Sequence, residues 1–145
     1  MPYKLLKINS KGDETLELIN ILETIVIINP KVKKYPFAIV SLDGSSNEIF
    51  KGFFIDFLKK VNDDGVIITF EDIKEKFKEI FQVYDLLLLI DNNVKLFKKY
   101  SNQEENIMYE NVYITIAYFD GGFWEISSVD ESLIDLLEKQ SSLLD

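Results

Sequence analysis

Residues 112–127 constrain the fold more than any other stretch of this chain. Val112, Ile114, Ile116 and Tyr118 alternate with Tyr113, Thr115, Ala117 and Phe119, the period of a strand with two distinct faces. Asp120-Gly121-Gly122 supplies a tight turn, and residues 123–127 return as a second strand. Two such strands need a sheet around them, because an isolated hairpin is marginal in water. A sheet whose second face carries Tyr113 and Phe119 is either covered on both sides or leaves aromatic surface for a partner.

The remainder of the chain reads as helices first and strands afterwards. Residues 3–8 open as a strand and turn at 9–12; Asp13 then caps a helix with Leu18, Ile19, Leu22, Ile25 and Val26 on one face. The end of that helix is ambiguous, since the β-branched run 25–28 suits extended chain equally well. Residues 37–42 read as a buried strand closed by Asp43-Gly44. Ser45-x-x-Glu48 has the form of a capping box, and Ile49, Phe50, Phe53, Phe54, Phe57, Leu58 and Val61 follow as a core-facing stripe. After a short strand at 65–68, Thr69 caps a third helix burying Phe70, Ile73, Phe77, Ile80 and Phe81, with a solvated face of lysines and glutamates. Residues 86–90 and 94–100 read as a hairpin around Asp91-Asn92-Asn93, followed by a polar loop at about 101–108. Ser128-x-x-Glu131 reads as a second capping box, opening a helix with Val129, Leu133, Ile134, Leu136 and Leu137 inside. The expected class is α+β: a single domain over residues 1–145, its antiparallel sheet packed by helices mainly on one face.

Missing residue types exclude much chemistry. The 145 residues contain no cysteine and no histidine, and all sixteen cations are lysine. Disulfides, thiolate metal sites, cysteine nucleophiles, histidine-based triads and arginine fingers are therefore impossible. No glycine pattern forms a P-loop or a dinucleotide fingerprint, and neither Asp63-Asp64-Gly65 nor Asp91-Asn92-Asn93 continues as a calcium loop. No metal and no cofactor is expected. The longest apolar runs fall far short of the roughly 20 residues of a membrane span. The first residues, broken by Lys4 and Lys7, lack the apolar core of a secretion signal, so a cytoplasmic protein is expected.

The formal net charge of −9 is uneven. Residues 1–100 hold fifteen acids and fifteen lysines, whereas residues 101–145 hold ten acids against Lys139 alone. Such a charge repels nucleic acid and anionic lipid and steers basic proteins inward. Solubility alone is the plainer reading of the same skew. The C-terminal part is the favoured interaction region: Glu104, Glu105, Glu110, Asp120 and Glu125 carry the charge, while Tyr109, Tyr113, Tyr118 and Trp124 are the aromatic anchors. The alternative for Trp124 is a place in the core beneath a helix.

By this profile, and by its terminal strand–turn–strand–helix over residues 112–137, the chain resembles the immunity proteins of bacterial polymorphic-toxin and contact-dependent-inhibition systems. The resemblance implies a non-enzymatic inhibitor that occludes a cognate basic toxin domain, such as a nuclease, with its acidic, aromatic C-terminal surface. It implies a basic protein partner, with no nucleic acid and no membrane. Two rivals stand beside it: a phage-encoded inhibitor of a host defence complex that imitates the charge of DNA, and a carboxylate-dependent hydrolase. A hydrolase requires a concave pocket with at least two convergent acids and one raised pKa, whereas a docking protein presents a flat or convex acidic patch.

Overall fold

The computed structural model describes residues 2–140, the side chain of Phe50 excepted, so Asp145 lies outside the described residues. Its six strands are β1 (Lys4–Asn9), β2 (Phe37–Ser46), β3 (Val66–Ile68), β4 (Ile80–Ile90), β5 (Ile114–Phe119) and β6 (Phe123–Ser128). All neighbours are antiparallel, in the order β1-β6-β5-β4-β2-β3. The helices are α1 (Glu14–Ile28), α2 (Lys51–Asp64), α3 (Phe70–Phe77), α4 (Glu105–Asn111) and α5 (Glu131–Lys139). This is the expected α+β class.

Alternation along the strands divides the molecule into two layers of packing. Phe37, Ile39, Leu86, Leu88, Ile114, Ile116 and Ile126 join Leu18, Ile21, Leu22 and Ile25 of α1, together with residues of α2, α3 and α5, in the main core. The opposite side chains, among them Ala38, Val40 and Leu89, form a smaller core with Met108, Tyr109 and Val112. Helices therefore lie mainly on one face, and α4 partly covers the other. Asp13 caps α1 through the Leu16 amide, and the run 25–28 is helical to Ile28. Thr69 caps α3 through Asp72, as the sequence predicts.

Several local expectations are corrected. Asp43-Gly44 does not end β2, which runs on to Ser46 with Gly44 opposite Val83. There a Cβ on Gly44 would collide with the Gln82 carbonyl oxygen, so the glycine serves a close backbone approach and not a turn. Ser45 thus lies in a strand, and the turn before α2 has no side-chain cap; of the apolar stripe, Phe54 and Val61 are buried while Ile49 and Phe53 are exposed. Ile80 and Phe81 belong to β4 and not to α3. Two bulges in the β2–β4 ladder account for this: β4 contributes an extra residue at Phe81 and another at Tyr84, so burial recurs at Ile80, Val83 and Leu86. A spacing of three imitates a helix.

Residues 94–108 hold two more corrections. The predicted strand at 94–100 begins as a 3-10 turn at Val94–Leu96, because the Asp91 carboxylate accepts the Asn93 amide at 2.7 Å and the Asn93 side chain accepts the Lys95 amide at 3.1 Å. The predicted loop at 101–108 contains a 3-10 turn and most of α4. It starts with Ser101-x-x-Glu104, where Glu104 Oε1 accepts the Ser101 amide at 3.0 Å. At the far end, Asp130 and not Ser128 caps α5, through the Leu133 amide, while Ser128 Oγ donates to the Tyr113 carbonyl at 2.6 Å. Val129 and Leu136 are exposed, leaving Leu133, Ile134 and Leu137 as the buried side of α5.

Candidate functional site

The aromatic residues of the C-terminal part do not share a surface. Trp124 has 0% exposure and packs on Tyr118 with ring centroids 4.7 Å apart, on the main-core side of the sheet. Its indole Nε1 donates to Glu17 at 3.0 Å, and the same buried carboxylate accepts the Ser10 hydroxyl at 2.6 Å and the Lys11 amide at 2.7 Å. Trp124 and Tyr118 are thus core residues, corrected from their expected role as anchors: the register of β5 and β6 points both toward α1. Tyr113 is half-buried; its hydroxyl accepts from Asn29 Nδ2 at 2.8 Å and donates to Asp130 at 3.3 Å, tying the end of α1 to the start of α5.

The carboxylates divide as well. Glu104, Glu105 and Glu110 lie on or just before α4, over the second face, whereas Glu131, Asp135 and Glu138 ride on α5, whose buried side joins the main core on the first. Among the described residues a single acidic C-terminal surface does not form.

What the structure assembles instead is a groove of about 320 Å³ between the second face of the sheet and residues 99–109. Leu87, Met108 and Ala117 give it an apolar floor; Tyr100, Tyr109 and Phe119 give it aromatic walls; Asp85 and Glu105 line it with carboxylates, and Lys99, which donates to the Asn62 carbonyl, brings a cation to its rim. Tyr109 is the pivot. Its buried hydroxyl lies 3.0 Å from Glu105 Oε1 and 3.2 Å from Glu125 Oε1. One hydroxyl carries one proton, so it donates to one carboxylate at a time. Burial chiefly, then the hydrogen bond and charges of the two glutamates, push the Tyr109 hydroxyl well above its ordinary value.

Asp85 carries the second perturbation. Burial raises its carboxyl above the ordinary value, the Leu86 amide opposes that, and the charges of Asp43 and Asp120 add to the rise. Glu104 behaves in the opposite way: the Ser101 backbone amide and then Lys98, 2.9 Å away, hold it at about 2. It is a capping residue whose charge is already answered.

Of the nine residues expected at the site, Glu105, Tyr109 and Glu125 converge by hydrogen bonding, and Asp120 in the hairpin turn stands near Asp85. Glu104 flanks them as a cap, Glu110 is exposed on α4, and Tyr113, Tyr118 and Trp124 serve the other face. Sequence reasoning missed Asp85. The available signal was a carboxylate set directly before the apolar run 86–90, where a strand destined for burial has no ordinary use for charge. Among the described residues no cluster of metal-ligating side chains forms. None of their helices is long and apolar enough to cross a membrane. No protein-family model matches the chain, and no curated protein or solved structure matches it either.

Proposed function

We propose that this chain is a non-enzymatic cytoplasmic inhibitor that neutralises a basic protein, of the kind a toxin domain presents, by docking a cationic part of it at the acidic groove. The observation that carries the reading is the placement of Asp85 and Glu105 on one groove with aromatic walls and an apolar floor, with Glu125 joined to its wall through the Tyr109 hydroxyl. That combination suits a lysine or arginine side chain. The stem packs against Leu87 and Tyr100, and the cation meets Asp85 and Glu105, while Lys99 on the same lining is engaged by the Asn62 carbonyl. A cation 4 Å from one carboxylate gains about 4 kcal/mol of gross attraction at an effective dielectric of 20, before desolvation is subtracted. The net charge of −9 adds long-range steering.

The concavity of the site favours a second reading, a carboxylate-dependent hydrolase, because two carboxylates line one pocket and Asp85 has a raised pKa. A DNA-imitating inhibitor is not favoured: it requires carboxylates in one long row, and those of α4 and α5 lie over opposite faces. One experiment separates the first two. The purified chain is mixed with the basic protein it copurifies with in its native host, and the association is measured against salt with wild type and with D85N, E105Q and E125Q. Inhibition of that protein, with affinity falling steeply with salt and at least tenfold on each substitution, supports the inhibitor. Turnover of a glycoside or phosphoester library that vanishes in D85N or E105Q would establish the hydrolase instead.

A further inference from the structure

We propose that the open edge of β4 over residues 80–85 receives an extended, lysine- or arginine-bearing segment of the protein partner, which joins the sheet as a seventh strand. This deepens the docking reading and rests on it, adding the mode of engagement. β2 pairs with β4 down to Ile80, but β5 pairs only with residues 86–90 before the chain turns at Asp120. Among the described residues, residues 80–85 are therefore laddered along one edge alone, and the other presents about 20 Å of free backbone donors and acceptors at roughly 3.3 Å per residue.

Exposed edges of this length are normally guarded by lysine, proline or a covering segment. The run Ile80-Phe81-Gln82-Val83-Tyr84-Asp85 contains neither residue, and Phe81 is 70% exposed. Phe, Val, Ile and Tyr are also the residues that favour pairing. The bulge at Tyr84 turns both Tyr84 and Asp85 outward, so the edge ends at a carboxylate that also lines the groove. Charge selects the occupant. Asp85 stands at the end of the free edge and Asp120 lies near enough to act on it, with Asp43 adding its charge from β2 on the far side of β4, so an added strand meets an acidic end before the groove offers Glu105. A segment with a cation at every second residue relieves that repulsion; an acidic or neutral one does not. Strand addition supplies affinity through the backbone, and the alternate side chains supply selection.

The test uses the whole chain, isotopically labelled, and synthetic eight-residue peptides. One alternates lysine with valine and one glutamate with valine; two further lysine peptides are backbone N-methylated on the odd or on the even residues. Edge pairing requires that the lysine peptide bind, slow amide exchange at residues 80–85 at least tenfold, and lose at least tenfold in affinity in one of the two methylated forms. The glutamate peptide must not bind, and D85N must weaken the lysine peptide about tenfold, with a shallower salt dependence. Equal binding of both methylated peptides, without protection at residues 80–85, overturns strand addition while the acidic-groove reading stands. Failure of every lysine peptide to bind overturns strand addition and the basic-partner reading together. Self-association of the chain through residues 80–85, seen by sedimentation, overturns the proposal in favour of a second copy.

Discussion

Replacing Glu17 by alanine tests how α1 joins the loop after β1 to strand β6. Glu17 is 3% exposed and accepts three hydrogen bonds, from Ser10, the Lys11 amide and the Trp124 indole. A hydrogen bond to a charged acceptor contributes about 1.5–3 kcal/mol, and a buried donor left without a partner costs about 1–3 kcal/mol. The three bonds share one acceptor, and only the Trp124 donor is wholly enclosed, so they do not add in full. Counting the indole bond whole and the two loop bonds at about half gives a loss of about 3–6 kcal/mol. Near the melting point of a domain this size, that lowers the transition by roughly 10–20 °C. Glu17→Gln keeps the shape but turns an amide donor toward other donors, and should cost about 1–3 kcal/mol. Urea unfolding followed by emission of Trp124, the only tryptophan, and by backbone circular dichroism should give coincident midpoints and an unchanged m-value. A loss under about 1 kcal/mol in E17A would refute the view that this carboxylate holds the loop after β1 against β6.

Further outcomes follow from single residues. Gly44→Ala places a methyl against the Gln82 carbonyl and should cost about 3 kcal/mol or more, read as a lower urea midpoint; a neutral result would mean the β2–β4 ladder shifts freely there. Tyr109→Phe removes the hydroxyl shared by Glu105 and Glu125 and should cost about 1–2 kcal/mol in urea unfolding. Asp85→Asn should raise stability at neutral pH by under about 1 kcal/mol. Its carboxyl sits above the ordinary 3.8, so the folded state disfavours the charge; the advantage should fade once acid protonates the wild-type group, and a destabilised D85N at pH 7 would contradict this. For Glu104 the sign reverses. Its pKa is lowered from 4.5 to about 2, so its stabilisation is complete above pH 4.5 and lost as the pH falls toward 2, and the penalty of E104Q, measured by urea midpoint, should shrink across that interval.

The elements most legible in the chain were those whose periods were undisturbed. Strands β5 and β6 pair without a bulge from Ile114 opposite Ser128 to Phe119 opposite Phe123, and α3 carries its own cap and buries Phe70, Ile73 and Phe77 at helical spacing. The start of β4 was illegible for a geometric reason: two inserted residues convert a period of two into a period of three, and Ile80, Val83 and Leu86 then continue the pattern of α3. Residues 94–108 were misread because the Asx chemistry of Asp91 and Asn93 and the box formed by Ser101 and Glu104 outweighed weak strand propensity. At the site, Glu105 and Glu125 were legible as charge, but their meeting at Tyr109 was not. It depends on α4 lying across the sheet, a tertiary fact with no local trace. The same gap separated Asp85, on a strand, from residues twenty positions later.

Among the described residues strand β1 pairs with β6 alone: Lys4 lies opposite Ser128 and Asn9 opposite Phe123. On a ribosome, β1, the first of the six described strands to emerge, must wait for more than a hundred further residues before it can be zipped into place, and the chain entropy of so long a closure falls late in assembly. A nascent polypeptide arrested anywhere short of residue 123 leaves β1 without its mate, so translation has nearly reached the end of the described chain before native assembly can finish.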